Sequence, residues 1–227
     1  MPPEGPLQPD GPLQPDGPLQ PDGPLEPGSS LTFEARPGRT ERLILRPLLD
    51  SDLDDVLVYQ SDAETLRYML WPVRDRTDTA EHLHRRTAMT SLRRDGDPLC
   101  LAIETQDAPG RVIGEVNIRL TSVEHRQAEV GWVLNPAFQG RGYATEAAAS
   151  MVDLCVDELH SRRVHATLDP RNTASIGVCR RLGMREEAHF VEDAFFKGEW
   201  GDTCVYATLA REWLARREAQ SIDIATT

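Results

Sequence analysis

The sequence predicts an α/β (α+β) domain, built on a mixed, mostly antiparallel twisted sheet of about six to seven strands with helices on both faces. Three observations predict it. Pro98 to Glu104, Arg111 to Leu120 and Gln127 to Leu134 are apolar stretches separated by polar turns, as in an antiparallel meander. Ala144, Ala147, Ala148, Met151, Val152, Cys155 and Leu159 recur at three- and four-residue spacing, which gives a helix one apolar face to lay on a sheet. Val164, Ala166 and Leu168 then alternate in a further strand, and strand, helix, strand implies a parallel crossover.

Residues 5 to 28 are Gly-Pro-Leu-Gln-Pro-Asp three times over, followed by Gly-Pro-Leu-Glu-Pro-Gly. Proline at every third residue blocks helix and sheet pairing, and one leucine per repeat cannot offset the entropy of ordering. Residues 1–37 are therefore expected to be a disordered proline-rich tail, 38–219 the folded domain and 220–227 a frayed end. Within the domain, Glu41 to Arg46 reads as the first strand and Asp52 to Gln60 as a helix capped by Ser51. A second helix is expected from about Thr79 to Arg94, ended by Gly96 and Pro98. Asp107-Ala108-Pro109-Gly110 has tight-turn chemistry between the first two meander strands. Arg163 to Leu168 is the strand after the long helix, Asn172 to Arg181 a short helix, Lys197-Gly198 the turn between the last two strands, and Leu209 to Ala219 a terminal helix.

The chain has 227 residues, 39% apolar, enough for one substantial core. No apolar run reaches membrane-spanning length and no signal-peptide pattern opens the sequence, so the expectation is a cytoplasmic protein with neither membrane nor nucleic acid as partner. Net charge is −12 and Lys197 is the only lysine, so an acidic surface favours cationic substrates such as amines. Cys100, Cys155, Cys179 and Cys204 lack metal or redox spacing and read as reduced core thiols. The histidines are scattered, and no metal site is expected.

Gln139-Gly140-Arg141-Gly142-Tyr143-Ala144 joins the apolar strand Glu129 to Leu134 to the long helix. The first amides of a helix lack intrahelical partners and carry the positive end of its dipole, so such a junction suits an anion. Gly-x-Gly alone reads equally as a plain turn, and a dinucleotide fingerprint lacks its third glycine. The whole phrase Gln-x-x-Gly-x-Ala resembles the acyl-CoA pyrophosphate loop of the GNAT superfamily of N-acetyltransferases. Thr40 to Pro47, Ser51-Asp52-Leu53, Asn172-Thr173-Ala174-Ser175, Leu182-Gly183-Met184 and Phe196 to Asp202 are similar to its RimJ/RimL-like branch, in the same order. The resemblance implies acetyl-CoA as co-substrate and a parallel strand pair splayed at the cofactor cleft. Leu134, Gln139, Gly140, Arg141, Gly142, Tyr143, Ala144 and Asn172 would hold the cofactor, with Arg180 or Arg181 as further anion donors.

Acetyl transfer to an amine needs an unprotonated nucleophile. At pH 7, freeing a lysine-like amine of pKa ~10.4 costs about 4 to 5 kcal/mol, and an α-amine of pKa ~7.7 to 8.0 only about 1 kcal/mol. Glu129, set in an apolar strand that feeds the loop, is the first candidate base, with burial expected to raise its pKa; a solvent-facing carboxylate is the equal alternative. Glu115 is a second candidate. The resemblance puts Cys179 where the superfamily often has a tyrosine acid, and the branch instead offers Ser175 to the leaving thiol; packing or capping explains Ser175 equally well. Tyr206 is an unsupported substitute acid. Asn172 would bond the pantetheine arm or cap the helix after it. Tyr68, Trp71, His82 and Phe195 to Lys197 lie in segments that form the acceptor groove in the family. The expected acceptor is a protein N-terminal α-amine. A small-molecule amine, or a non-catalytic acyl-CoA sensor, is the alternative, in a monomer or homodimer.

Overall fold

The computed structural model describes residues 31–225, with side chains to residue 221. The proline repeats lie outside the described residues. In chain order the elements are β1 (Phe33–Glu34), β2 (Gly38–Arg39), β3 (Leu43–Pro47), α1 (Leu53–Gln60), α2 (Arg76–Thr87), β4 (Ser91–Leu92), β5 (Pro98–Thr105), β6 (Ala108–Ser122) and β7 (Gln127–Leu134). They continue as α3 (Tyr143–Asp157), β8 (Arg163–Leu168), α4 (Thr173–Arg181), β9 (Arg185–Phe196), β10 (Glu199–Leu209) and α5 (Ala210–Ala225).

Eight strands form one sheet in the order β2-β3-β5-β6-β7-β8-β10-β9, and every neighbouring pair is antiparallel except β7 and β8. The meander and the crossover are those the sequence predicts, and the count exceeds the expected seven because Gly38–Arg39 adds a short edge strand. The parallel pair is joined over three residues only, Gln127↔Arg163, Ala128↔Val164 and Glu129↔His165. Beyond that point β7 still pairs with β6 and β8 with β10, so the two strands diverge and leave a cleft at their C-terminal ends.

Alternation along β7 sorts its side chains. Ala128, Val130, Trp132 and Leu134 join the larger core with Met151, Val152 and Cys155 of α3. Val133 points to the other face, into a smaller core with Val56 and Tyr59 of α1 and Leu83 of α2. Glu129 and Gly131 share that second face.

Several local readings are corrected. Ser51 does not cap α1: it lies in a 3-10 turn (Asp50–Asp52), and Asp52 instead accepts from the Leu49 N–H and pairs with Arg46. The second helix spans Arg76–Thr87, capped by Asp75, because residues 88–92 leave it for pairing: β4 joins β1, and the Cys100 N–H donates to the Met89 carbonyl. The turn before β6 sits at Gln106–Asp107, and Ala108 to Gly110 already belong to the strand. Phe33 is buried in the main core, so packed structure begins inside the segment assigned to the tail, and α5 runs on to Ala225, past residue 219. No helix among the described residues is long and apolar enough to cross a membrane.

Candidate active site

The loop between β7 and α3 is held open by its own side chains. Asn135, buried at the strand end, accepts from the Ala137 N–H, and Gln139 Nε2 donates to the Leu134 carbonyl at 3.1 Å. Gly140 and Gly142 adopt φ of +74° and +84°, values that glycine alone takes without strain. A Cβ on Gly140 would meet nothing within 4 Å, so this backbone faces open space. Gly142 is the N-cap of α3 and offers no side-chain cap, which leaves the first-turn amides free for an external anion.

One charge near those amides has the wrong sign for an anion, and the fold removes it from play. Glu146, in the first turn of α3, is turned toward β3, where it accepts from the Thr40 hydroxyl, the Arg42 N–H (2.7 Å) and Arg42 Nε (2.7 Å). Burial raises its pKa, but these three donors outweigh that and hold it low. The same Arg42 donates Nη1 to the Arg141 carbonyl at 3.0 Å and so fixes the loop. Arg181 Nε donates to Thr145 Oγ1 at 3.0 Å beside the helix start, and Arg141 stands 5.6 Å from the Phe138 ring centre. The charge of Arg180 acts on the Tyr206 hydroxyl, opposing the rise in its pKa. Open glycine backbone, uncapped amides and two adjacent guanidinium groups fit a diphosphate. The sequence reading missed the clamp by Thr40, Arg42 and Glu146, because its partners lie more than a hundred residues apart.

Glu129 stands at the last joined pair before β7 and β8 part, opposite Arg119 on β6 and His165 on β8. Its carboxylate is not the lone buried acid expected. Arg119 donates Nε at 3.0 Å and Nη2 to the same oxygen, and the side chain keeps 17% exposure. His165, one of the scattered histidines, is half-buried beside it; burial lowers its pKa, and the Glu129 charge opposes that shift. His165 Nδ1 is buried without a partner. Glu115 lies deeper, 1% exposed, with Arg86 Nε at 3.2 Å and Gln60 Nε2 at 3.3 Å, and serves as a buried ion pair joining β6 to α2.

Across the cleft, Asn172 caps α4 by accepting the Ser175 N–H at 3.1 Å. Its amide Nδ2 has no protein partner among the described residues. Ser175 is thereby fixed in the first turn of α4, immediately after β8. Cys179 is fully buried in the core, and burial pushes its thiol up to about 12. Tyr206 is 3% exposed, and its hydroxyl donates to Glu186 at 2.8 Å; burial and that carboxylate raise its pKa. Neither is poised to protonate a leaving group.

The segment between α1 and α2, residues 61–75, contacts groups near the ends of the strands on both sides of the cleft. Lys197, at the β9–β10 turn, donates to the Leu66 and Arg67 carbonyls. Arg171, just past β8, lies 5.7 Å from the Tyr68 ring centre and pairs with Asp169 and Glu199. At the other end Arg74 Nη1 donates to Gln60, which also reaches Glu115. Lys197 and Tyr68 thus meet at this segment, which also carries Trp71, whereas Phe195 is 62% exposed and packs edge-on against Trp200.

The family model described as "Acetyltransferase (GNAT) domain" matches residues 42–185. Among curated proteins, the chain is 29% identical over 174 residues to the "Uncharacterized N-acetyltransferase YnaD" of Bacillus subtilis (strain 168), covering 77% of this chain and 97% of that protein. A solved acetyltransferase (GNAT family) from Bacillus anthracis is 26% identical with a TM-score of 0.68, covering 78% of this chain and 99% of the other. The spermidine N-acetyltransferase from Vibrio cholerae, solved with CoA and spermine, shares the fold at 22% identity and a TM-score of 0.65, over 77% of this chain and 99% of that one. The chain belongs to the GNAT acetyltransferase family, and is an acyltransferase that uses acetyl-CoA.

Proposed function

We propose that the protein, as a RimJ/RimL-like member of its family, acetylates a protein N-terminal α-amine. The observation that carries the reading is the state of the acids at the cleft: Glu129 is ion-paired with Arg119, and Glu115 with Arg86. An α-amine lies about 1 kcal/mol from its free form at pH 7 and a polyamine or lysine amine about 4 to 5 kcal/mol, so the α-amine makes the smaller demand on an ion-paired acid that relays its proton.

In this reading the backbone amides of residues 139–144 hold the cofactor's diphosphate, assisted by Arg141 and Arg181, while Leu134 at the strand end and Asn172 Nδ2 contact its pantetheine arm. Acetyl-CoA supplies the acetyl group as an activated thioester. The free amine attacks directly, the new C–N bond replaces the C–S bond, and no acyl-enzyme forms. Glu129 accepts the proton released by the amine through a water molecule, with His165 alongside. The Ser175 hydroxyl donates a hydrogen bond to the departing sulfur, which takes up a proton from solvent. Four free, buried cysteines support a reducing, cytoplasmic setting.

Thiol release from acetyl-CoA, followed with free and N-blocked peptides and with a small-amine panel, tests the proposal. Turnover confined to peptides with a free N-terminus is expected. Turnover of spermidine or amino acids with none of any peptide would overturn it.

A further inference from the structure

We infer that Arg74, with Trp71 and His82 beside it, forms a subsite for a carboxylate on the acceptor, so that the preferred substrate is a peptide with an acidic side chain close to its free N-terminus. This rests on the α-amine reading above and specifies it further.

Arg74 is a cation without an anion. It is half-buried, its Nη1 donates to the neutral amide of Gln60 at 2.6 Å, and its guanidinium stands 5.7 Å from the Trp71 ring centre. Among the described residues no carboxylate lies within ion-pair distance of it. The nearby Glu115 is taken by Arg86 and Gln60, and Asp78 is exposed on α2. Burial, then the charges of Arg86 and Arg85, disfavour the charged form, yet a guanidinium keeps its proton near neutral pH. An incoming carboxylate would relieve this.

Two further polar groups lack partners, one on Trp71, whose ring Arg74 covers, and one on His82, which feels the Arg74 charge. Trp71 Nε1 and His82 Nε2 are both buried without a hydrogen bond, and polar atoms in that condition are uncommon in folded proteins. Burial and the charges of Arg86, Arg74 and Arg85 bring the His82 pKa down to about 3, so its ring is neutral and offers an N–H in one tautomer. A guanidinium, an indole N–H and an imidazole N–H are all donors, and together they match a carboxylate.

The location connects the subsite to the chemistry. Within residues 61–75, Tyr68 stands near Arg171, just past the end of β8, and Arg74 is linked through Gln60 to Glu115, whose backbone pairs with Val133 near the C-terminal end of β7. A peptide whose amine enters the cleft lies along this segment, with its next side chains beside Arg74. A polyamine would set its second ammonium against the same arginine.

Kinetics of the full chain with free-N-terminus hexapeptides carrying Glu or Gln at the second and third positions provide the test. The Glu peptide is expected to have a kcat/KM about tenfold or more above the Gln peptide, as a charge-assisted bond warrants. Arg74→Gln should bring that ratio close to one, Arg74→Lys should retain part of it, and Trp71→Phe should reduce it; the last two keep the test available if Arg74→Gln fails to fold. The His82 pKa, followed by NMR, should rise when the acetylated Glu peptide binds and stay put with its Gln counterpart, which a purely structural arginine would not produce. Equal turnover of both peptides, or discrimination that survives Arg74→Gln, overturns the subsite while leaving the α-amine reading intact. Failure of both peptides beside turnover of a small amine overturns the α-amine reading, and the subsite with it.

Discussion

At the scale of single residues, Gly142 is the position on which the proposed cofactor loop is most directly tested. Its φ of +84° is strained for any branched side chain, and a Cβ would stand 3.3 Å from Arg42 Nη2, the group whose neighbour fixes the loop. Gly142→Val is expected to weaken acetyl-CoA binding at least tenfold in calorimetry while the far-ultraviolet spectrum stays native; unchanged affinity would remove the loop from the site. Glu129→Gln should lower kcat by about a hundredfold, within the usual range for loss of a general base, and most steeply at low pH, where less amine is free. A pH–rate profile parallel to wild type would take Glu129 out of the mechanism. The left-handed glycines and the strand position of Glu129 were legible because adjacent residues set both. His165 was not, since only the register of the parallel pair sets it beside Glu129. The guanidinium of Arg119 was hidden likewise by an antiparallel register ten residues long in sequence.

Among the elements, strands and the long helix were readable from periodicity, and α2 was not. Its expected continuation to Arg94 lost to tertiary pairing, because β4 finds β1 in a segment whose composition gave no hint of structure. Beside the packing of Leu83 in the smaller core, the Arg86–Glu115 pair joins α2 to the sheet, and its side chains keep 12% and 2% exposure. Removing one partner of such a pair strands a buried charge, at a typical cost of about 3 to 5 kcal/mol. Glu115→Ala should therefore lower the denaturant midpoint by a corresponding amount, and combining it with Arg86→Met should recover part of the loss. If the double variant is no more stable than the single one, the pair is not the joint between these elements.

For the whole molecule, topology followed from a meander and one crossover, while the contacts of residues 61–75 did not, since they join a loop, a hairpin turn and a helix end remote in sequence. The net charge of −12 opposes an anionic cofactor, so in the proposed site the loop's local donors have to offset it. Because added salt screens the repulsive bulk field, acetyl-CoA should associate faster as ionic strength rises from about 0.02 M to 0.15 M, by roughly two- to fivefold in stopped-flow traces. A rate that falls with salt would mean that the arginines, not the bulk charge, govern approach.

Lys197 is the sole lysine, and it ties the hairpin to the segment at residues 61–75 while burial lowers its pKa. A lysine-directed fluorophore consequently has one side-chain address in the entire chain. Attached there, it converts an ammonium that braces the cleft into a neutral amide, so the dye reports on the entrance and loosens it in the same act.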